Sequence, residues 1–275
     1  MGGHGPIQRR VGHVVTRLMM WAPLRRSRLG RSAYGWMYLF GKSRAERPES
    51  EFFRRFVRPG MTIVDLGANV GFYTAIFSES VGEGGSVIAF EPDPFCADIL
   101  RRRIGALASA GNVRIEDAAL GAASGEAVLY CSHRDRAESR THPLDPSIPG
   151  ERVRVPVRTL DEYCREHGIG RIDGLKVDVE GDEVSALRGM REILTTRPPG
   201  WIFIEFSPDQ LRGAGETPES FWSLLREHGY RSYALVHGRP AGAIEDTDAF
   251  TRAHLHEDNN VLAVHRSRPA PAPPS

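Results

Sequence analysis

From residue 61 onward, short apolar runs alternate with stretches whose apolar residues recur at helical spacing. The runs predict strands over 61–66, 86–91, 113–118, 175–179, 201–206, 232–236 and 260–264. The intervening spacing predicts helices over 72–80, 94–108, 160–167, 183–194 and 218–228. The first five strands are short and largely apolar, as strands of a parallel sheet covered on both faces are. Such alternation implies a doubly wound α/β domain with right-handed crossovers and a ligand site at the carboxyl ends of the strands. Two further β-like runs, 127–131 and 153–157, interrupt the pattern. Between them lies a polar, proline-containing loop, 132–151, long enough to be either a functional cover or a disordered segment.

Ahead of this domain the pattern changes. Seven arginines precede residue 32, Lys42 and Arg44 follow, and the first acid is Glu46. Ile7, Val11, Val14, Val15, Leu18 and Trp21 fall on one helical stripe, with Arg9, Arg10 and Arg17 off it. The preferred reading is a cover helix that packs on the domain. The alternative is a basic amphipathic helix on an anionic membrane surface. A signal peptide is not expected, because Pro23, Arg25 and Arg26 interrupt the short apolar stretch. The division expected is therefore a basic helical extension (1–47), a catalytic domain (48–266) and a disordered proline-rich tail (267–275).

The 275 residues are 26% charged with a net charge of +1, so overall charge gives no reason to expect a nucleic-acid partner. Cys96, Cys131 and Cys164 are odd in number and widely spaced. They read as reduced thiols of a cytoplasmic protein rather than a disulfide framework. No apolar stretch approaches the ~20 residues of a membrane span. The ten histidines make no convincing metal set, and His254 and His256 read as part of a solvated loop, so no metal is expected.

The densest chemistry lies in MTIVDLGANVGFYT (61–74), a strand followed by a glycine turn and a helix start. Gly67 and Gly71 suit a sharp bend or close backbone approach, and outward amides at the helix start suit a nucleotide-like ligand. An ordinary tight βα turn is the plain alternative. Asp65 could receive an ammonium group or accept the turn's amides, and it would repel a pyrophosphate. Glu91 follows Gly71 by 20 residues, the separation at which an acid meets a ribose in nucleotide-binding folds. Its competing role, helix capping, is better filled by Asp93. Asp117 closes the third strand, either to accept from an adenine amino group or to face water.

The second cluster is LKVDVEGDEV (175–184). Lys176, Asp178 and Glu180 share one strand parity and would converge on one side. Converging charges are costly unless paired or used, so a salt-bridged strand edge is the alternative to a catalytic group. Lys42 and Lys176 are the only lysines in an arginine-rich chain, which implies that Lys176 serves as a compact ammonium. Glu205 adds another acid at the end of the next strand, on the same sheet edge as Asp65, Asp178 and Glu180.

Taken in order, VDLGANVGFYT, FEPDP, RTLDEY, LKVDVEG, IEFSP and NNVLAVH resemble the FkbM family of S-adenosylmethionine-dependent methyltransferases, over roughly residues 48–266. The resemblance implies a class I methyltransferase (Rossmann-like) fold with a seven-stranded doubly wound sheet. It further implies O-methylation of a hydroxyl on a sugar, glycolipid or polyketide-type acceptor. Asp65, Gly67, Asn69 and Gly71 would then form the methionine and ribose side of the cofactor pocket, with Glu91 on the ribose hydroxyls. Asp178 would be the base or acceptor-orienting residue, with Lys176 and Glu180 tuning it, and the 132–151 loop with Arg134, Arg136 and Arg140 would cover the acceptor. Two competitors remain: an NAD(P)-dependent oxidoreductase, which the missing third glycine disfavours, and a catalytically inactive cofactor-binding module.

Overall fold

The computed structural model describes residues 27–133, 136, 139–143 and 149–269. The stripe 7–21 and the tail beyond residue 269 lie outside the described residues. The chain opens with α1 (Arg28–Ala45) and α2 (Arg47–Phe56), followed by β1 (Thr62–Leu66), α3 (Phe72–Val81), β2 (Ser86–Phe90), α4 (Pro94–Gly105) and β3 (Val113–Glu116). A short β4 (Ala119–Leu120) and the long β5 (Gly125–Ser132) and β6 (Gly150–Arg158) come next. Then follow α5 (Leu160–Glu166), β7 (Gly174–Val177), α6 (Glu183–Arg188), α7 (Arg191–Thr196), β8 (Trp201–Phe206), α8 (Pro208–Gly213) and α9 (Pro218–Glu227). The chain closes with β9 (Tyr230–Val236), β10 (Arg239–Ala243), α10 (Thr247–Ala253) and β11 (Asn259–His265).

The main sheet runs β10-β9-β11-β8-β7-β1-β2-β3, with β3, β2, β1, β7 and β8 parallel and β11 antiparallel between β8 and β9. Its strand order reverses between β1 and β7, the place where ligands bind in open α/β sheets. The seven expected strands are all present, but the sheet has eight. The extra strand, β10, pairs back on β9 through His237 and Gly238, both at positive φ, as a two-residue hairpin turn requires. Its sequence, RPAGA, carries no apolar alternation, and Pro240 suits only an edge. The two β-like runs of the loop region form a separate three-stranded sheet, β4-β6-β5.

Each face of the main sheet is covered. On one side Phe53 of α2 and Tyr73 and Phe77 of α3 pack with Trp201 and Phe203. On the other, Tyr163 of α5, Leu187 of α6 and Trp222 of α9 pack with Phe90, Val177 and Phe206. The expected helix over 183–194 is instead two helices, α6 and α7. A Cβ on Gly189 would lie 2.0 Å from the carbonyl oxygen of Gly121, so the chain presses against that backbone between them. Helix α1 seats on the domain: Tyr34 is buried edge-on against Phe95, and Arg31 pairs with Asp98 at 2.7 Å.

Candidate active site

A cleft of about 1030 Å³, counting its open mouth, lies over the carboxyl ends of β1, β2, β7 and β8. Its floor is the turn after β1, where the glycines act by close approach. Gly67 sits at φ +71, and a Cβ there would fall 1.8 Å from the carbonyl oxygen of Asp178. Gly71 caps α3 at φ +83, with Leu100 of α4 filling the space a side chain would need. Gly67 therefore lets the β1 and β7 turns lie against each other, and Gly71 lets α3 meet α4.

The amides of the turn itself, from Gly67 to Gly71, are turned inward. Those of Gly67 and Ala68 both donate to the Phe90 carbonyl, at 3.1 and 3.0 Å, and that of Gly71 donates to the Ala68 carbonyl at 2.9 Å. The Asn69 amide donates to Glu91 Oε2 at 2.6 Å, and the Asn69 side chain takes the Val70 amide at 2.7 Å. The five amides of the turn are thus spent internally and are not offered to a phosphate.

Glu91 is bound from two sides, since its other oxygen accepts the Asp93 amide at 2.8 Å. It nevertheless lines the cleft. Burial, reinforced by the neighbouring Asp93, pushes its carboxyl up to about 8. Asp93 caps α4 by accepting the Phe95 amide, as its position predicted. It also holds the buried Arg136 of the polar loop at 3.1 Å, while the second arm of Arg136 reaches Glu151. Arg136 thus ties the loop region to the residue two places after Glu91 and is not a free acceptor contact. Arg140 and Thr141 of the same loop do line the cleft, and Arg134 lies outside the described residues.

Asp65 is fully buried behind the turn. It accepts from Thr74 Oγ1 at 2.6 Å and faces Lys176 Nζ at 3.5 Å, so its ammonium partner is Lys176 and none of the turn amides is its donor. The β1–β7 register makes this unavoidable, because Asp65 and Lys176 are direct neighbours on adjacent strands. Asp117 is not brought to the cleft. It is exposed and paired with Arg101, and the wall beside it is the apolar run Ala118, Ala119 and Leu120, with Phe90 and Leu129 nearby.

At the opposite end the shared-parity argument needs correction. β7 stops at Val177, and Glu180 turns to φ +56, so Asp178 and Glu180 are positioned by a loop rather than by strand alternation. The loop is pinned by Glu183, whose carboxylate accepts the amides of Val179 at 3.1 Å and Gly181 at 3.2 Å. Convergence is achieved nonetheless. Lys176 meets Asp178 at 3.1 Å, and Asp178, Glu180 and Glu205 bring carboxylate oxygens within 4.8 Å of one another.

Burial alone would raise Asp178, but Lys176 and then Lys42 outweigh it and hold the carboxyl below its usual range. Glu180 and Glu205 are pushed well above theirs, by burial first and by the Asp178 charge second. The cluster therefore sets one carboxylate of lowered proton affinity beside two of raised proton affinity. The same three oxygens have the spacing to bind a divalent cation.

Sequence reasoning missed the contribution of α1. Tyr38, Lys42 and Glu46 line the cleft, and the two lysines of the chain both lie 5.5 Å from the Tyr73 ring centre. The signal was available in the rarity of lysine, which had been applied to Lys176 alone.

The sequence model of the Methyltransferase FkbM domain matches residues 65–232, which carry the turn, Glu91, the carboxylate cluster and Glu205. This chain belongs to that family.

Among similar proteins, the methyltransferase sdnD of Sordaria araneosa is 28% identical over 170 residues, covering 47% of this chain and 60% of the relative. The 2-O-methyltransferase NoeI of Sinorhizobium fredii is 28% identical over 169 residues, 56% of this chain and 66% of the relative. The 31-O-demethyl-FK506 methyltransferase FkbM of Streptomyces tacrolimicus is 28% identical over 201 residues, covering 63% and 74%. The chain thus spans 60% and 66% of the first two relatives' lengths. A crystal structure of the methyltransferase FkbM from Methylobacillus flagellatus is similar at 16% identity and a TM-score of 0.45, covering 94% of this chain and 59% of that one. No helix among the described residues is long and apolar enough to cross a membrane.

Proposed function

We propose that this protein transfers the methyl group of S-adenosylmethionine to a hydroxyl of a sugar, glycolipid or polyketide-type acceptor. The observation that carries the reading is the glycine turn with every amide spent internally beside a cleft-facing Glu91. Such a site suits a ribose that donates two hydroxyls and lacks any need for phosphate. That requirement also disfavours a pyrophosphate dinucleotide. The residues fit the cofactor in sequence along the cleft: the apolar wall of Phe90, Ala118 and Leu120 for a base, Glu91 for the ribose, and the charged end for the amino-acid part.

The bound cofactor supplies a sulfonium methyl that is already strongly electrophilic, leaving the protein to align the acceptor and remove its proton. Asp178, held ionised by Lys176, orients the acceptor hydroxyl. The Glu180–Glu205 pair takes the proton once one of its two carboxyls is ionised, because its raised basicity matches a hydroxyl better than that of Asp178. Arg140 and Thr141 border the acceptor from the loop side.

Calorimetric titration with S-adenosylhomocysteine and with NAD tests the ligand, and incubation with methyl-labelled cofactor and a pool of glycans and polyols tests the reaction. Binding of the first ligand alone, with label entering an acceptor, supports the reading. Selective NAD binding defeats the ligand assignment, and bound cofactor without transfer to any acceptor favours the inactive module.

The partner side of the proposal includes peripheral contact with an anionic membrane. Leu29, Trp36 and Phe40 are exposed on α1 beside Arg28 and Arg44. Co-sedimentation with anionic but not neutral vesicles supports it, and equal absence from both removes it.

A further inference from the structure

We infer that Lys42, on α1, holds the methionine carboxylate of the cofactor. The inference rests on the cofactor reading above. An amino-acid zwitterion lying beyond the ribose needs a cation for its carboxylate and an acid for its ammonium. Four cationic side chains stand in or behind the described cleft. Lys176 is enclosed by Asp65, Asp178 and the Gly67 carbonyl. Arg136 is engaged by Asp93 and Glu151. Arg140 lies on the polar loop with His142, on the wall that borders the carboxylate cluster.

Lys42 differs from all three. Its ion-pair partner is Glu46, one turn along its own helix at 3.2 Å, and it touches Tyr38 Oη at 3.3 Å. An ammonium has three N–H donors, so a carboxylate can join these two contacts. The Tyr38 and Tyr73 rings lie 5.6 and 5.5 Å from Nζ, close enough for both to attract the ammonium. Tyr73 Oη is buried on the same side, beside Glu46. Glu46, lining the same end of the cleft, supplies the acid for the ligand's ammonium.

The arrangement gives α1 a function: a helix outside the stretch matched by the family completes the ligand site. It also accounts for lysine at this position in a chain that otherwise uses arginine everywhere but at Lys176.

The test compares S-adenosylhomocysteine with 5′-methylthioadenosine, which shares the adenosine thioether but lacks the amino-acid end, by calorimetry on the full chain. In Lys42→Met and Lys42→Gln, affinity for S-adenosylhomocysteine falls about 10- to 100-fold, as loss of a charge-assisted hydrogen bond predicts. Affinity for methylthioadenosine stays within about twofold, and its retention also reports that each variant is folded. Equal losses for both ligands, or no loss for either, overturn the assignment. A wild-type protein that binds neither ligand defeats the cofactor reading itself, a different failure.

Discussion

The two ends of the cleft are built on opposite principles. At the end proposed for the nucleoside every backbone amide of the turn has an internal partner: the Phe90 and Ala68 carbonyls, Glu91 and the Asn69 side chain. At the end proposed for methyl transfer acids are crowded together, and Glu205 Oε2 and Gln210 Oε1 are buried without hydrogen-bond partners. A satisfied network fixes shape, whereas an under-satisfied one stores unpaired capacity that a ligand can use. In the proposed reaction the first end is the seat, and the second receives the acceptor hydroxyl and the amino-acid part. The comparison explains why the seat uses glycine and backbone while the transfer end uses titratable side chains.

The strongest way to break the seat is Gly67→Ala. The added Cβ meets the Asp178 backbone at 1.8 Å and strains a residue at φ +71. Stability falls by about 4 kcal/mol or more, read as a lower midpoint in urea unfolding, because neither backbone can move without separating β1 from β7. An unfolding midpoint equal to wild type would mean that the two turns do not pack as described.

Next is the ion cluster joining the two ends. Lys176→Met leaves the fully buried Asp65 and its neighbour Asp178 without their cation. The expected loss is about 3 kcal/mol, with cofactor affinity falling as the turn loosens. Lys176→Arg does not restore it, since a planar fork cannot replace a point charge in that space. Full stability in Lys176→Met would assign the pair no structural role.

At the transfer end alone, Glu205→Gln lowers turnover about 100-fold while affinity for S-adenosylhomocysteine stays within about twofold. Wild-type turnover rises with pH as the Glu180–Glu205 pair loses its proton. In Glu180→Gln that rise moves to lower pH, because the like charge that helps hold the Glu205 proton is gone. A pH profile unchanged in both variants would transfer the base to another residue.

The same contrast separates what the sequence made legible from what it did not. The parallel strands announced themselves as apolar runs, and Gly67, Asn69, Gly71 and Glu91 could be found from spacing, because the seat is local in sequence. Register places Lys176 beside Asp65, a pairing that the shared-edge argument did not include. The transfer end is assembled from β7's loop, β8 and α1, and no single stretch contains it. Strand parity misdescribed Glu180 because the chain leaves β-geometry at Val177. Asp117 looked like an adenine contact by position, yet its side chain turns out to Arg101. Lys42 carries the signal of a rare lysine but no motif, and the packing of α1 on α3 and α4 carries it to the cleft.

The central claim is that Glu91 receives the ribose hydroxyls, and pH-dependent binding tests it most directly. In the free protein burial raises its carboxyl to about 8, while two donated hydroxyls favour the ionised form. Below that pH binding must expel a proton, so affinity is weakest in acid and rises with pH until Glu91 is ionised without ligand. Calorimetry of S-adenosylhomocysteine should therefore show affinity climbing by up to about tenfold per pH unit toward pH 8 and levelling above it, with about one proton released at the acid end. In Glu91→Gln the climb should disappear and binding should be weak throughout. A wild-type affinity that is flat or falls as pH rises toward 8 would contradict the assignment of Glu91 to the ribose.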